Sequence, residues 1–349
     1  VPRYLFTCDV HCKNKPAWKT KYYGMLLREI SLQALHQGCS KVVLAGDLWD
    51  EKHGVNAEVL NLVYNELSLS KQRGVPWVLL RGNHEIGLKS APHDTLLNLF
   101  QGVADVVTRP SSMTEGNCTL YFLPWYLGDT FKQVAATSAQ RAAIDPVQVK
   151  ILVGHVGLNE GQVSPSNCYR VPQKVYLSDL QPHRYNFVFL GDYHLTQHLG
   201  DRTMYGGSPI PHGFGDAHDQ GVWVVDTNSG QVKVDNVKLS GKYLQYRTVK
   251  LGPDDKLPPE PGPHECLRIQ AHIELVPALK SWLGKDRVQI DWWGQRRIDE
   301  GHRRLEKVNS SDPIAVFRAL LDNKKITDPM YIELGEHAIK RARNEVYGK

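Results

Sequence analysis

No stretch of this 349-residue chain approaches the roughly 18 uninterrupted apolar residues that a helix needs to cross a membrane, so no membrane span is expected. It opens Val1-Pro2-Arg3 without a starting methionine. No basic segment leads into a long apolar core there, so no signal peptide is expected either. Cysteine is sparse. Cys8, Cys12, Cys39, Cys118, Cys168 and Cys266 form no C-x-x-C pair, which points to reduced thiols in a cytosol-like compartment. Two thiols do not make a zinc site, and Cys8 and Cys12 read as structural. Phosphate-loop signatures are also missing: Gly241-Lys242 and Gly284-Lys285 are followed by Tyr243 and Asp286, so this chain is not itself an ATPase. The pair His84-Glu85 meets Leu88 where a zinc protease needs a second histidine. A formal charge of +5 tolerates a polyanionic partner without specifying one.

What is present is ordinary globular composition, 41% hydrophobic and 23% charged, long enough for about two domains. Over the first ninety residues, short apolar runs at 4–8, 42–45 and 75–80 alternate with helical periodicity at 22–37 and 57–72, each helix closed by a glycine. That rhythm predicts βαβ units and a mostly parallel, doubly buried sheet. The runs return at 149–153 and 187–190. Strand-like periodicity at 222–225, 232–237 and 243–249 predicts a second sheet packed on the first. The segment 252–263 carries five prolines and no periodicity, and is expected to link a domain at 1–251 to a smaller α/β capping domain at 264–349. The latter shows strands at 267–273 and 288–293 and helices at 276–283, 313–322 and 329–346. The fold class expected is α/β.

Active sites of such sheets collect beyond the carboxyl ends of the strands. All five runs end in polar residues: Asp9 and His11, Asp47, Asn83 and His84, His155, then Asp192 and His194. In the two D-x-H pairs, carboxylate and imidazole point the same way on an extended chain. The seven ligand candidates Asp9, His11, Asp47, Asn83, His155, Asp192 and His194 suffice for two divalent ions if one carboxylate bridges. Mixed carboxylate, imidazole and amide ligands suit manganese, iron or zinc better than magnesium. Two ions about 3.5–4 Å apart can clamp a phosphoryl group and activate a water.

The motifs D-x-H, GDLWD (46–50), GNHE (82–85), GHVG (154–157) and GDYH (191–194) resemble the calcineurin-like metallophosphoesterases in order and spacing over about residues 3–250. The segment YGGSPIPHGFGD (205–216) looks like that of SbcD-type DNA repair nucleases, and DPIAVFRALLDNKKI is similar to phage-type recombination endonuclease subunits. The resemblance implies a two-sheet β-sandwich flanked by helices. It implies two divalent ions, manganese first, with iron, zinc or magnesium as alternatives. Asp9, His11, Asp47 and His194 would hold one ion, and Asp47, Asn83, His155 and Asp192 the other. His84 would stabilise the scissile phosphate or protonate the leaving oxygen, with Glu85 orienting it. DNA, an SbcC-type ATPase subunit and a second copy of the chain are the implied partners, in the cytoplasm of a bacterial or phage-infected cell. The family commonly has histidine where Asp192 stands, so a more anionic second site is expected.

Around the site, Lys13, Lys15 and Trp18 interleave charge with aromatic surface, as in backbone-tracking grooves, and His53 follows the Asp47 loop. His212 and His218 are placed to line the cleft. A second basic-aromatic patch joins Trp292 and Trp293 to Arg296, Arg297, Arg303 and Arg304, where acidic neighbours favour a solvated helix face. Helices at 57–72 and 91–101 are candidates for a dimer surface. A small-molecule phosphatase or nucleotide phosphodiesterase on the same scaffold is the rival function, since metal motifs do not specify substrate. A non-catalytic subunit with a decayed second site is the other.

Overall fold

Residues 1–14, 19–50, 54–86, 95–162, 174–216, 221–228, 230–240 and 243–293 are described by a computed structural model, with scattered positions from 314 to 339. Their elements run β1 (Arg3–Thr7), α1 (Thr20–His36), β2 (Lys41–Leu44), α2 (Ala57–Gln72), β3 (Trp77–Leu80), β4 (Ala104–Val107), β5 (Ser111–Glu115), β6 (Cys118–Leu123), α3 (Gly128–Ile144) and β7 (Val149–His155). There follow β8 (Phe187–Gly191), β9 (Gln197–His198), β10 (Thr203–Tyr205), β11 (Val222–Asp226), β12 (Lys233–Val237), β13 (Gln245–Leu251), β14 (Glu265–His272), α4 (Val276–Leu279) and β15 (Val288–Trp293). Among these residues no helix is long and apolar enough to cross a membrane.

Two mixed six-stranded sheets carry the site. The first has the order β12-β11-β1-β2-β3-β4 and the second β5-β6-β7-β8-β10-β9. Strands β1 to β4 run parallel, as do β6, β7 and β8. Alternation along each strand builds two cores at once. Tyr4 and Phe6 of β1, Val43 of β2 and Val78 of β3 meet Leu120, Phe122, Ile151, Val153 and Phe189 between the sheets. Leu5, Val42 and Leu79 point the other way, onto Leu26, Leu27 and Ile30 of α1 and Val59, Val63 and Leu67 of α2. On the far side of the second sheet, Phe131 and Ala135 of α3 pack on Tyr121, Leu152 and Val188. The result is an α/β sandwich of two sheets between helical layers. Burial on both faces explains why β2, β3, β7 and β8 read as continuous apolar runs.

The last strands differ from expectation. Strands β11 and β12 extend the first sheet at its β1 edge, antiparallel, rather than founding a second sheet. The second sheet instead comes from residues 111–205. β13 joins β14 and β15 in a third, parallel sheet, so the proline-rich 252–263 segment connects two neighbouring strands of one sheet. Compactness divides the chain into Val1–Trp293 and Gly294–Lys349. In the second unit Ile314, Phe317, Arg318 and Leu321 are helical, as are Ile332, Glu333, Gly335, Glu336 and Ile339. Of the helix expected at 91–101, residues Leu96–Phe100 form a 3-10 turn capped by Thr95, and residues 91–94 lie outside the described ones.

Candidate metal centre

The carboxyl ends of β1, β2 and β3 from one sheet and of β7 and β8 from the other meet at a common rim. Loops after β1 and β2 are zipped by backbone hydrogen bonds: the N–H of Asp9 donates to Gly46, that of His11 to Asp47 and that of Cys12 to Leu48. Four site residues adopt left-handed backbone: Asp9 (φ 52°), His11 (φ 48°), Asp47 (φ 55°) and Asp192 (φ 106°). Only six non-glycine residues do so among the described ones. Non-glycine residues adopt this conformation uncommonly, Asp and His more readily than most, and it persists where surrounding contacts over-determine it.

The side chains converge. His11 Nε2 lies 3.1 Å from His194 Nε2, 3.9 Å from Asp9 Oδ1 and 3.7 Å from Asp47 Oδ2. His155 Nε2 lies 3.4 Å from Asp47 Oδ2 and 3.6 Å from Asp192 Oδ1. Its Nδ1 donates to the Ala45 carbonyl at 2.7 Å, which orients the ring with Nε2 toward the carboxylates. Asp9, His11, Asp47 and His155 are all nearly inaccessible. Three groups could each hold an ion: Asp9 with His11 and His194, Asp9 with Asp47 and His155, and, toward the rim, His11 with Asp50 and His84.

A divalent ion suits this donor set. The inward atom of the Asn83 amide sits 2.9 Å from His155 Nε2 and 3.0 Å from Asp47 Oδ2. With nitrogen inward it donates to both. With oxygen inward it completes a ring of acceptors that a cation satisfies. Nδ1 of His11 is buried 3.4 Å from Asp50 Oδ1, so a proton on Nδ1 faces that carboxylate and Nε2 is left to face the centre.

Charge follows the same logic. Burial works against the Asp47 carboxylate, yet His155, His11 and His84 hold it below the usual range. Burial also opposes the His155 imidazolium, but Asp47, Asp9 and Asp192 hold it well above. For Asp192, burial together with Asp47 and Asp9 outweighs His155 and pushes the carboxyl up to about 7. A divalent ion held by these residues would need them deprotonated, so its binding would displace protons here.

Close approach depends on glycine. A Cβ on Gly82 would lie 2.1 Å from Asp47 Oδ1, and one on Gly46 would lie 2.1 Å from His155 Nδ1.

His84 stands at the rim. Its backbone N–H donates to Asp47 Oδ1 at 3.0 Å and its Nδ1 to the carbonyl of Asp50 at 2.5 Å. That carbonyl is the orienting contact, which corrects the expectation for Glu85. The Glu85 carboxylate turns inward and accepts from the N–H of Gly82 (2.7 Å), Asp47 (3.0 Å) and Trp49 (3.2 Å). Buried donors that would otherwise lack partners draw it there. Burial, and Asp47 after it, pushes its carboxyl up to about 7 against those hydrogen bonds.

Lys13 reaches the centre, its Nζ 3.4 Å from Asp50 Oδ1. Lys15, Trp18, His53 and His218 lie outside the described residues, as do Arg296, Arg297, Arg303 and Arg304. Asp50 carries weight that sequence reasoning did not give it, and His212, expected to line the cleft, does more than that. Asp50 was legible as the second aspartate of GDLWD. His212 donates from Nε2 to the Asp9 carbonyl at 2.7 Å, its ring centroid 5.2 Å from those of both His11 and His194. Burial beside those two rings holds its pKa well below the usual range.

No curated protein matches the chain. Among solved structures it is similar to TT1561 of Thermus thermophilus, at 12% identity and a TM-score of 0.41 over 68% of this chain and 99% of that one. It is also similar to a dimetal phosphatase from Danio rerio, at 14% identity and a TM-score of 0.43 over 64% of this chain and 92% of that one. Residues 2–196, more than half the chain and the part that carries every strand-end cluster, match the family of calcineurin-like phosphoesterases, and to that family of metal-dependent phosphoester hydrolases the chain belongs.

Proposed function

We propose that this chain is a two-metal phosphodiesterase that cuts DNA, an exonuclease and single-strand endonuclease. Asp9, His11, Asp47 and His194 hold one ion, and Asp47, Asn83, His155 and Asp192 hold the other. The observation that supports this most is the meeting of Asp47 Oδ2 with His11, His155 and the Asn83 amide, which puts one carboxylate between both donor groups. Divalent ions bound there supply charge neutralisation on the phosphoryl oxygens and an acidified water as nucleophile. The donor mixture favours manganese, with iron, zinc or magnesium as alternatives.

The chain's own part is positioning and proton handling. Ala45 holds the His155 ring, and His212 holds the Asp9 carbonyl. His84 Nδ1 is committed to Asp50, so a proton gained at Nε2 is the one it passes to the departing oxygen. Lys13, beside Asp50, offers an ammonium to a neighbouring phosphate. Lys15, Trp18 and His53 belong by sequence to the same strand-tracking rim. The SPIP segment beside His212 favours DNA over a small ester. An SbcC-type ATPase subunit supplies ATP-driven work, two copies pair through the 57–72 and 91–101 surfaces, and the complex acts in the cytoplasm.

The test compares bis(p-nitrophenyl) phosphate with p-nitrophenyl phosphate and follows single-stranded DNA binding against salt. Diester turnover and DNA affinity that falls steeply with salt are expected. Monoester turnover alone, with no salt-sensitive binding, contradicts the reading.

A further inference from the structure

Between the segment that follows β10 and the outer edge of β13 lies a cavity of about 480 Å³, a size typical of small-ligand sites. Pro209, Pro211, Tyr243, Tyr246, Arg247 and Thr248 line it. One residue beyond Pro211 stands His212, bonded to Asp9 in the metal centre. Consecutive Cα atoms are about 3.8 Å apart, so wall and centre are near neighbours. Nε of Arg247 is committed to Glu265, and its two terminal nitrogens make no hydrogen bond to a described residue. Lys19 donates to the Tyr246 hydroxyl at 2.9 Å, and Lys13 lies beside Asp50 at the centre. Cations thus mark the way from the metal rim to the cavity. β13 is also an outer strand, so part of its backbone N–H and C=O groups stay outside the ladder.

These features match the parts of a nucleotide. A guanidinium with a free fork binds phosphate, aromatic and proline surface takes a base or sugar, and edge backbone offers donors and acceptors to a base edge. We propose that this cavity receives one nucleotide of the DNA strand adjacent to the scissile phosphate, its phosphate on Arg247 and its base against Tyr243 and the prolines. The proposal rests on the phosphodiesterase reading and says where the neighbouring nucleotide goes.

Two variants test it on the full chain: Arg247→Gln removes the anion contact, and Thr248→Trp fills the space. With manganese, both are expected to raise KM for a single-stranded oligonucleotide about tenfold with little change in kcat. Hydrolysis of bis(p-nitrophenyl) phosphate, too small to span centre and cavity, stays unchanged. Saturation-transfer NMR with thymidine 5′-monophosphate on the magnesium-loaded chain needs no turnover. Transfer to the base protons is expected for the unaltered protein and for His84→Ala, and is lost in both cavity variants. Equal transfer in all four proteins, or an unchanged oligonucleotide KM, overturns the cavity proposal and leaves the nuclease reading standing. Diester turnover without any DNA cleavage overturns the nuclease reading; the NMR comparison then decides the cavity alone, and no transfer overturns it as well.

Discussion

His11 and His194, 183 residues apart in sequence, face each other Nε2 to Nε2 at 3.1 Å. One stands after the first strand of one sheet and the other after the fourth strand of the second, so the contact exists only because both strand ends share a rim. Two imidazole nitrogens this close, with the Asp9 carboxylate beside them, gain most from a shared cation. His11→Ala and His194→Ala are each expected to weaken manganese binding at the first site at least tenfold. The double variant should lose little more, since residues that ligate one ion act as a unit. Calorimetric manganese titration checks this, and additive losses count against a shared ion.

Glu85 binds three backbone N–H groups from two loops, including those of Asp47 and Gly82. Glu85→Gln turns one acceptor into a donor that faces buried donors, at a cost of about 1–3 kcal/mol. A lower Tm together with weaker manganese binding is expected, because Asp47 loses its clamp. His84→Ala, by contrast, should leave metal stoichiometry intact. Unchanged metal affinity in Glu85→Gln would make its role purely structural.

In the metal-free protein Asp192 and Glu85 should make stability fall as pH rises, against His194 and His212, whose lowered pKa values act the other way below the ordinary 6.5. Burial raises the Asp192 and Glu85 carboxyls to about 7, above their unfolded values, so at these two groups the folded chain binds more protons than the unfolded one across that interval. Their contribution to stability is then greatest below the unfolded pKa values and is lost as pH rises through about 7. His155, held well above its ordinary value, acts in the same direction over a higher window. Divalent ions need these groups deprotonated, so their stabilising effect should grow with pH and their binding should release protons. Thermal melts from about pH 5 to about pH 8, with and without manganese, read both slopes. Asp192→Asn should flatten the metal-free slope.

Gly82→Ala tests how tightly the rim is packed. Its Cβ would lie 2.1 Å from Asp47 Oδ1, so the carboxylate has to move. Loss of the second ion at near-normal secondary structure is expected, read by metal analysis and circular dichroism.

Much of this was legible. Polar residues placed just after buried strands mark a rim once the βαβ rhythm is read, which is how Asp9, His11, Asp47, Asn83, His155, Asp192 and His194 emerged together. What stayed hidden depends on neighbours distant in sequence. Val222–Asp226 reads equally well as part of a new sheet or as an addition to β1, and only the packing of Val224 and Val225 on opposite sides of the first sheet decides it. Glu85 adjoins His84 in sequence, but backbone donors on the Asp47 loop turn it away. His212 follows a proline-rich run, and its hydrogen bond to Asp9 spans 203 residues.

The most direct measurement is digestion of end-labelled single-stranded and duplex DNA with manganese, beside His84→Ala and Asp47→Ala. The account predicts cleavage that requires manganese, falls about 10²–10⁴-fold in His84→Ala with metal still bound, and vanishes in Asp47→Ala with metal lost. Two ions bound and no DNA cleaved, or cleavage that survives Asp47→Ala, would contradict it.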